Sequence, residues 1–137
     1  MGVIHIDTGV FIALLDSDDV HHDVATTFWT SSRVRGDRIA MSATAFAECL
    51  IKPFRDNPET VTAIRDLFHR IPIEIVQLDE VVAEKAAELR ASQPSLRLPD
   101  AMVIASAIIG NADQLVTTDR KWPPAPKLGY SGSITCL

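Results

Sequence analysis

The sequence predicts an α/β fold, a three-layer α/β/α sandwich around a mostly parallel sheet of four to five strands. Two observations carry that expectation. Short apolar or β-branched runs at Val3 to Ile6, Ile39 to Met41, Ile73 to Leu78 and Leu115 to Thr117 alternate with longer segments of helical spacing. Strands separated repeatedly by helices lie parallel in one sheet with the helices over its faces. In addition, no internal repeat, low-complexity tract or Gly/Ser linker divides residues 1–137, so a single domain is expected throughout.

The elements follow in order. Val3 to Ile6 is a strand, and Thr8 to Leu15 an apolar helix that stops at the acidic loop Asp16 to Asp19. His22 to Thr30 is a second helix with Val24, Ala25 and Phe28 facing inward. After the strand Ile39 to Met41, Ser42 is an N-cap for a helix that Pro53 ends at about Lys52. Asn57-Pro58 opens the next helix, with Val61, Ile64, Leu67 and Phe68 at helical spacing up to Arg70. Asp79 caps a helix with Val82, Ala86 and Leu89 on one stripe, ended by Pro94. Pro99 opens a helix over Asp100 to Gly110, closed by Gly110-Asn111 as a left-handed cap. Beyond the Pro-rich loop Pro123 to Pro126, Ser133 to Cys136 is a last edge strand.

Composition narrows the class. Apolar residues make up 47% and charged residues 23%, which excludes a disordered or collagen-like chain. Cys49 and Cys136 fit no metal-ligand spacing and are expected as free thiols. Met1 to Asp7 lacks the basic start and apolar run of a signal peptide, and Ala101 to Gly110 is about half a bilayer span. These features point to a cytoplasmic protein without membrane insertion. The net charge of -5 is opposite to that of a non-specific nucleic-acid binder, and an acid cluster that takes up divalent cations would account for part of it.

Ligands of open parallel sheets bind beyond the carboxyl ends of the strands. Asp7 follows the first strand directly, and Asp119 follows Leu115 to Thr117. Glu48 lies within the otherwise apolar helix Ala43 to Ile51, and Asp100 in the first turn of an almost wholly apolar one. No Arg or Lys is interleaved in either helix to serve as a partner. Buried carboxylates need a partner or a metal. Any two brought to about 4 Å repel by roughly 4 kcal/mol at an effective dielectric of 20. All-oxygen ligands select Mg²⁺ or Mn²⁺, and two such ions can hydrolyse a phosphodiester. Each acid also has an ordinary reading: Asp100 as a helix-start charge, Asp7 as a cap, Asp119 as a turn residue. Glu48 has no cap role and is the hardest to explain without chemistry.

Four segments carry a resemblance: Ile6-Asp7-Thr8-Gly9-Val10-Phe11, Ala45-Phe46-Ala47-Glu48, Leu98-Pro99-Asp100-Ala101-Met102-Val103-Ile104-Ala105, and Val116-Thr117-Thr118-Asp119-Arg120-Lys121-Trp122. They resemble the four motifs of the PIN domain, in order and each with its acid, over nearly the entire chain. The compact size is most similar to the VapC-type toxins of prokaryotic toxin–antitoxin pairs. The resemblance implies a Mg²⁺ or Mn²⁺ site, endonucleolytic RNA cleavage, a homodimer, and a small antitoxin over the active-site groove. It implies Asp7 and Asp100 as main metal ligands, with Asp119 and Glu48 completing the pocket and helping to hold or deprotonate the attacking water. Thr117 matches the family's hydroxyl in the fourth motif. Gly9 departs from the usual Asn or Ser, and Thr8 is the substitute donor beside Asp7. The Pro-rich C-terminal segment also departs from the usual ending.

Other classes fit less well. Asp7-Thr8-Gly9 is the aspartic-protease triplet, but that fold is all-β and no second triplet occurs. A haloacid-dehalogenase phosphatase wants a second Asp where Gly9 stands. A PIN fold kept only as a binding module would be expected to lose acids, and a DNA-directed nuclease would use the same metal chemistry, the 2′-OH being the distinction. Lys52 and Arg120 are candidates for guiding the phosphate backbone, among the basic residues Arg33, Arg35, Arg38, Arg55, Arg97 and Lys121. His21 and His22 are adjacent, so their rings diverge on a helix; His22 is read as a capping or packing residue.

Overall fold

A computed structural model describes all residues 1–137. The strands are β1 (Val3–Ile6), β2 (Arg38–Ser42), β3 (Ile73–Val76), β4 (Gln114–Thr117) and β5 (Ser133–Cys136). They form one five-stranded sheet in the order β3-β2-β1-β4-β5. Every pairing is parallel, so the tail strand also runs with the others.

The helices are α1 (Thr8–Leu15), α2 (His22–Arg35), α3 (Ala43–Asp56), α4 (Pro58–Arg70), α5 (Glu80–Ser92) and α6 (Leu98–Ile109), with a short 3₁₀ turn at Ala125–Leu128. Right-handed crossovers place α1 to α4 over one face, between β1, β2 and β3, and α5 and α6 over the other. Two contacts agree. The rings of Phe11 on α1 and Phe68 on α4 lie 4.7 Å apart. On the other face, His5 of β1 lies against Gly110 at the end of α6. With both faces covered, Ile4, His5 and Ile6 are all buried.

Several boundaries differ from the sequence expectation. α3 runs through Pro53 to Asp56, because a proline in the last turn removes one helical hydrogen bond while Asn57 N–H still reaches Pro53 O at 2.9 Å. α2 continues past Thr30 to Arg35 and stops at Gly36, whose φ of 76° supplies the left-handed cap. On that helix Ala25 is buried, but Val24 turns outward. β3 ends at Val76, short of Leu78. At the end of α6 it is Asn111, with φ 50°, that takes the left-handed conformation; Gly110 does not. Both cysteines are free thiols. No helix is long and apolar enough to cross a membrane.

Candidate active site

The topology brings the four acids to one edge. Asp7 is the first residue beyond β1 and the N-cap of α1. Glu48 lies on α3, which leaves the carboxyl end of β2. Asp119 follows β4, and Asp100 stands in the first turn of α6, the helix that returns to the amino end of β4.

Asp7 is the most enclosed, at 8% exposure. Its Oδ2 accepts a hydrogen bond from Thr117 Oγ1 at 3.0 Å. Thr117 Oγ1 in turn accepts from the backbone N–H of Asp119 at 3.0 Å, so one hydroxyl ties the two acid-bearing strand ends together. Burial pushes the Asp7 carboxyl up to about 6; hydrogen bonds from the Thr8 backbone and Thr117 oppose this, and the charges of Asp100 and Glu48 add to it. Thr8 Oγ1 lies 3.2 Å from Glu48 Oε1 and 3.3 Å from Ala45 O, and its proton is shared between these acceptors. At Gly9 a Cβ would collide with Thr118 Oγ1 as that hydroxyl stands, so a side chain there requires the threonine to turn.

Burial also raises the Asp100 carboxyl, against the lowering pull of Arg97 and of the Trp122 indole; Asp119 raises it further. Arg97 Nε lies 3.5 Å from Asp100 Oδ2. This cation stands just outside the helix segment in which no partner was expected, and the i, i+3 spacing was the available signal. The Trp122 indole nitrogen is buried with no hydrogen-bond acceptor in range, although its proximity to Asp100 depresses the acid's pKa. Beside Glu48, burial pushes the Cys49 thiol up to about 12, with the charges of Asp7 and Glu48 contributing.

The acids therefore share one electrostatic field without forming a ligand cage. As the side chains stand, no three His, Cys, Asp or Glu groups are close enough to hold a metal ion. Arg97, at Asp100, is the only cation within 4.0 Å of any of the four. Asp7, Glu48 and Asp119 have none. An all-oxygen set with one buried and three half-buried carboxylates has the donor chemistry of a hard divalent ion site.

Two cavities are lined by the other three acids. One of about 440 Å³ is lined by Arg97, Asp100, Asp119, Lys121 and Trp122. Another of about 330 Å³ is lined by Glu48, Cys49, Lys52 and the apolar Phe11 and Ile12. A third, of about 500 Å³ between Arg33, Arg38 and Glu74, lies at the amino ends of β2 and β3 and contains none of the acids. Arg35 and Arg38 are paired there with Asp37 and Glu74 at 2.9 and 3.1 Å. Lys52 and Arg120 are exposed. His22 Nδ1 lies 2.7 Å from Ala13 O, which makes it a packing donor between α2 and α1, while His21 faces Asp19.

Comparison with known proteins agrees with this architecture. No curated protein sequence matches the chain. VapBC2 from Rickettsia felis, solved bound to a DNA fragment from its promoter, superposes with a TM-score of 0.75 at 18% identity, over 98% of each chain. FitAcB from Neisseria gonorrhoeae gives 0.72 at 16% identity, over 96% of each. The sarcin-ricin-loop-cleaving toxin VapC20 from Mycobacterium tuberculosis gives 0.71 at 16% identity, over 86% of this chain and 91% of its own. The family model of the PIN domain matches residues 4–128. With nearly the whole chain matched and the fold shared, the protein belongs to the PIN domain family.

Proposed function

We propose that this chain is a Mg²⁺- or Mn²⁺-dependent endoribonuclease, working as the toxin of a toxin–antitoxin pair, with Asp7, Glu48, Asp100 and Asp119 as its carboxylates. One observation carries the reading. The Asp7 carboxylate is buried at a sheet edge in the field of Asp100 and Glu48 with no cation of its own, and a bound divalent ion would neutralise that uncompensated negative charge. Family membership and the VapBC-type neighbours support the same assignment.

In this reading Asp7 and Asp100 would hold the ion, and Glu48 and Asp119 would complete the pocket. When bound, the ion supplies the positive charge that polarises the phosphodiester and the attacking water. Thr117 fixes the Asp7 carboxylate in one orientation, and Thr8 does the same for Glu48. Glu48 and Asp119 hold the attacking water and take its proton. Exposed Lys52 and Arg120 guide the phosphate backbone toward the acids. The protein acts as one cytoplasmic domain, dimerises, and is held inactive by a small antitoxin.

The test is RNA cleavage by the purified protein with Mg²⁺ or Mn²⁺. Asp7→Asn and Asp100→Asn are expected to abolish it while keeping the fold, and equal cleavage by the folded variants would assign the activity to a contaminant. A binding-only PIN module is the second reading, favoured by the absence of three acids within ligand distance. Failure of Mn²⁺ to raise the melting temperature of the wild-type protein would support it.

A further inference from the structure

Asp100 is the one acid of the four with a cationic neighbour, and the pair is loose. The Arg97–Asp100 separation of 3.5 Å exceeds the 2.7–2.9 Å of a tight charge-assisted bond. The Arg97 side chain is 75% exposed and the Asp100 side chain 14%, so the guanidinium has solvent to turn into while the carboxylate stays enclosed. Arg97 borders the same 440 Å³ cavity as Asp100 and Asp119, with Lys121 on its wall. A guanidinium that swings off Asp100 stays on the wall of that cavity, within reach of a phosphate brought up to the acids. The buried Trp122 indole nitrogen lines the same cavity and has no hydrogen-bond partner of its own.

We infer that Arg97 is an exchangeable counter-ion: it neutralises Asp100 in the empty site, gives the carboxylate up to the incoming divalent cation, and then pairs with a phosphate of the bound RNA. This rests on the reading of Asp100 as a metal-facing acid. Arg97 thus acts through Asp100 as a positioning residue before it touches substrate. Metal and guanidinium compete for one carboxylate, so loss of the guanidinium favours the metal. The planar fork that left Asp100 suits a phosphate equally well.

Two binding measurements test this. The first is Mn²⁺ affinity by electron paramagnetic resonance on the wild type, Arg97→Gln and Arg97→Lys, without RNA. An exposed pair of this kind predicts about two- to five-fold tighter Mn²⁺ binding in Arg97→Gln, with Arg97→Lys near the wild type because the competing charge remains. The second is the salt dependence of binding to a single-stranded RNA oligonucleotide, in an Asp119→Asn background at saturating Mn²⁺. Arg97→Gln should reduce the log–log slope by about 0.7, the loss of one phosphate contact. Unchanged or weaker Mn²⁺ binding in Arg97→Gln overturns the competition, and an unchanged slope overturns the transfer to phosphate. A wild type that binds no Mn²⁺ instead removes the metal-centre reading, and the exchange with it.

Discussion

Thr117 donates its hydroxyl proton to Asp7 at 3.0 Å, and the two residues are 110 positions apart in sequence. Thr117 is fully buried, so its hydroxyl has no water to turn to in place of Asp7. Thr117→Val leaves the Asp7 carboxyl without its side-chain donor and the Asp119 amide without its acceptor. The expected loss is about 1–3 kcal/mol in urea unfolding, with Thr117→Ser close to the wild type. Activity in Thr117→Val should also require higher pH, because the bond that lowers the Asp7 pKa is gone.

Asp7 strains the fold at neutral pH. Its folded-state value of about 6 lies above the 3.8 of an unconstrained Asp, so the native state holds the proton more tightly than the unfolded chain does. Stability is therefore greatest below pH 3.8 for this group and is lost as pH rises through 6. The cost above that window is about 3 kcal/mol. Asp7→Asn should raise the melting temperature at pH 7.5 in metal-free buffer, and the gain should vanish near pH 4. A gain that persists at pH 4 would show that the effect is not electrostatic.

His5 acts in the opposite sense. Burial lowers its pKa from 6.5 to about 4, although the charge of Glu74 opposes the shift, and its Nδ1 has no hydrogen-bond partner. The unfolded chain takes up this proton first, so His5 removes stability as pH falls from 6.5 toward 4, by about 3 kcal/mol in full. Replacement by Phe should flatten the pH dependence of the urea midpoint over that interval. An unaltered slope would assign the acid limb to other groups.

Gly9 and Thr118 form a steric pair. Gly9→Ala drives a methyl group into Thr118 Oγ1, and the expected cost is about 1–3 kcal/mol. Thr118→Ala in the same chain should recover most of it. Equal stability of the single and double variants would show that the threonine rotates aside without penalty.

Much of this architecture could be read locally. Ser42 and Asp79 stand directly before helical runs, and each accepts the amide of the residue three positions on, as caps do. Asp7 and Asp119 were legible because a strand end fixes where the next side chain emerges. What escaped depends on partners that sequence distance hides. Pro53 reads as a terminator until Asn57 is seen to close the last turn. Arg97 looks like another surface cation until its Nε is found beside Asp100. The strand order was equally out of reach, since β1 has β2 on one side and β4 on the other, and no local pattern specifies either neighbour.

The central position of β1 also sets a clock. Its flank on the β4 side stays bare until β4 has been made, and Asp7 waits that long for Thr117. At about 5–20 residues per second, the delay during synthesis is roughly 5 to 20 s. A nascent chain thus carries the first acid of the cluster long before it can assemble the pocket, and a chain released early, before β4, never does.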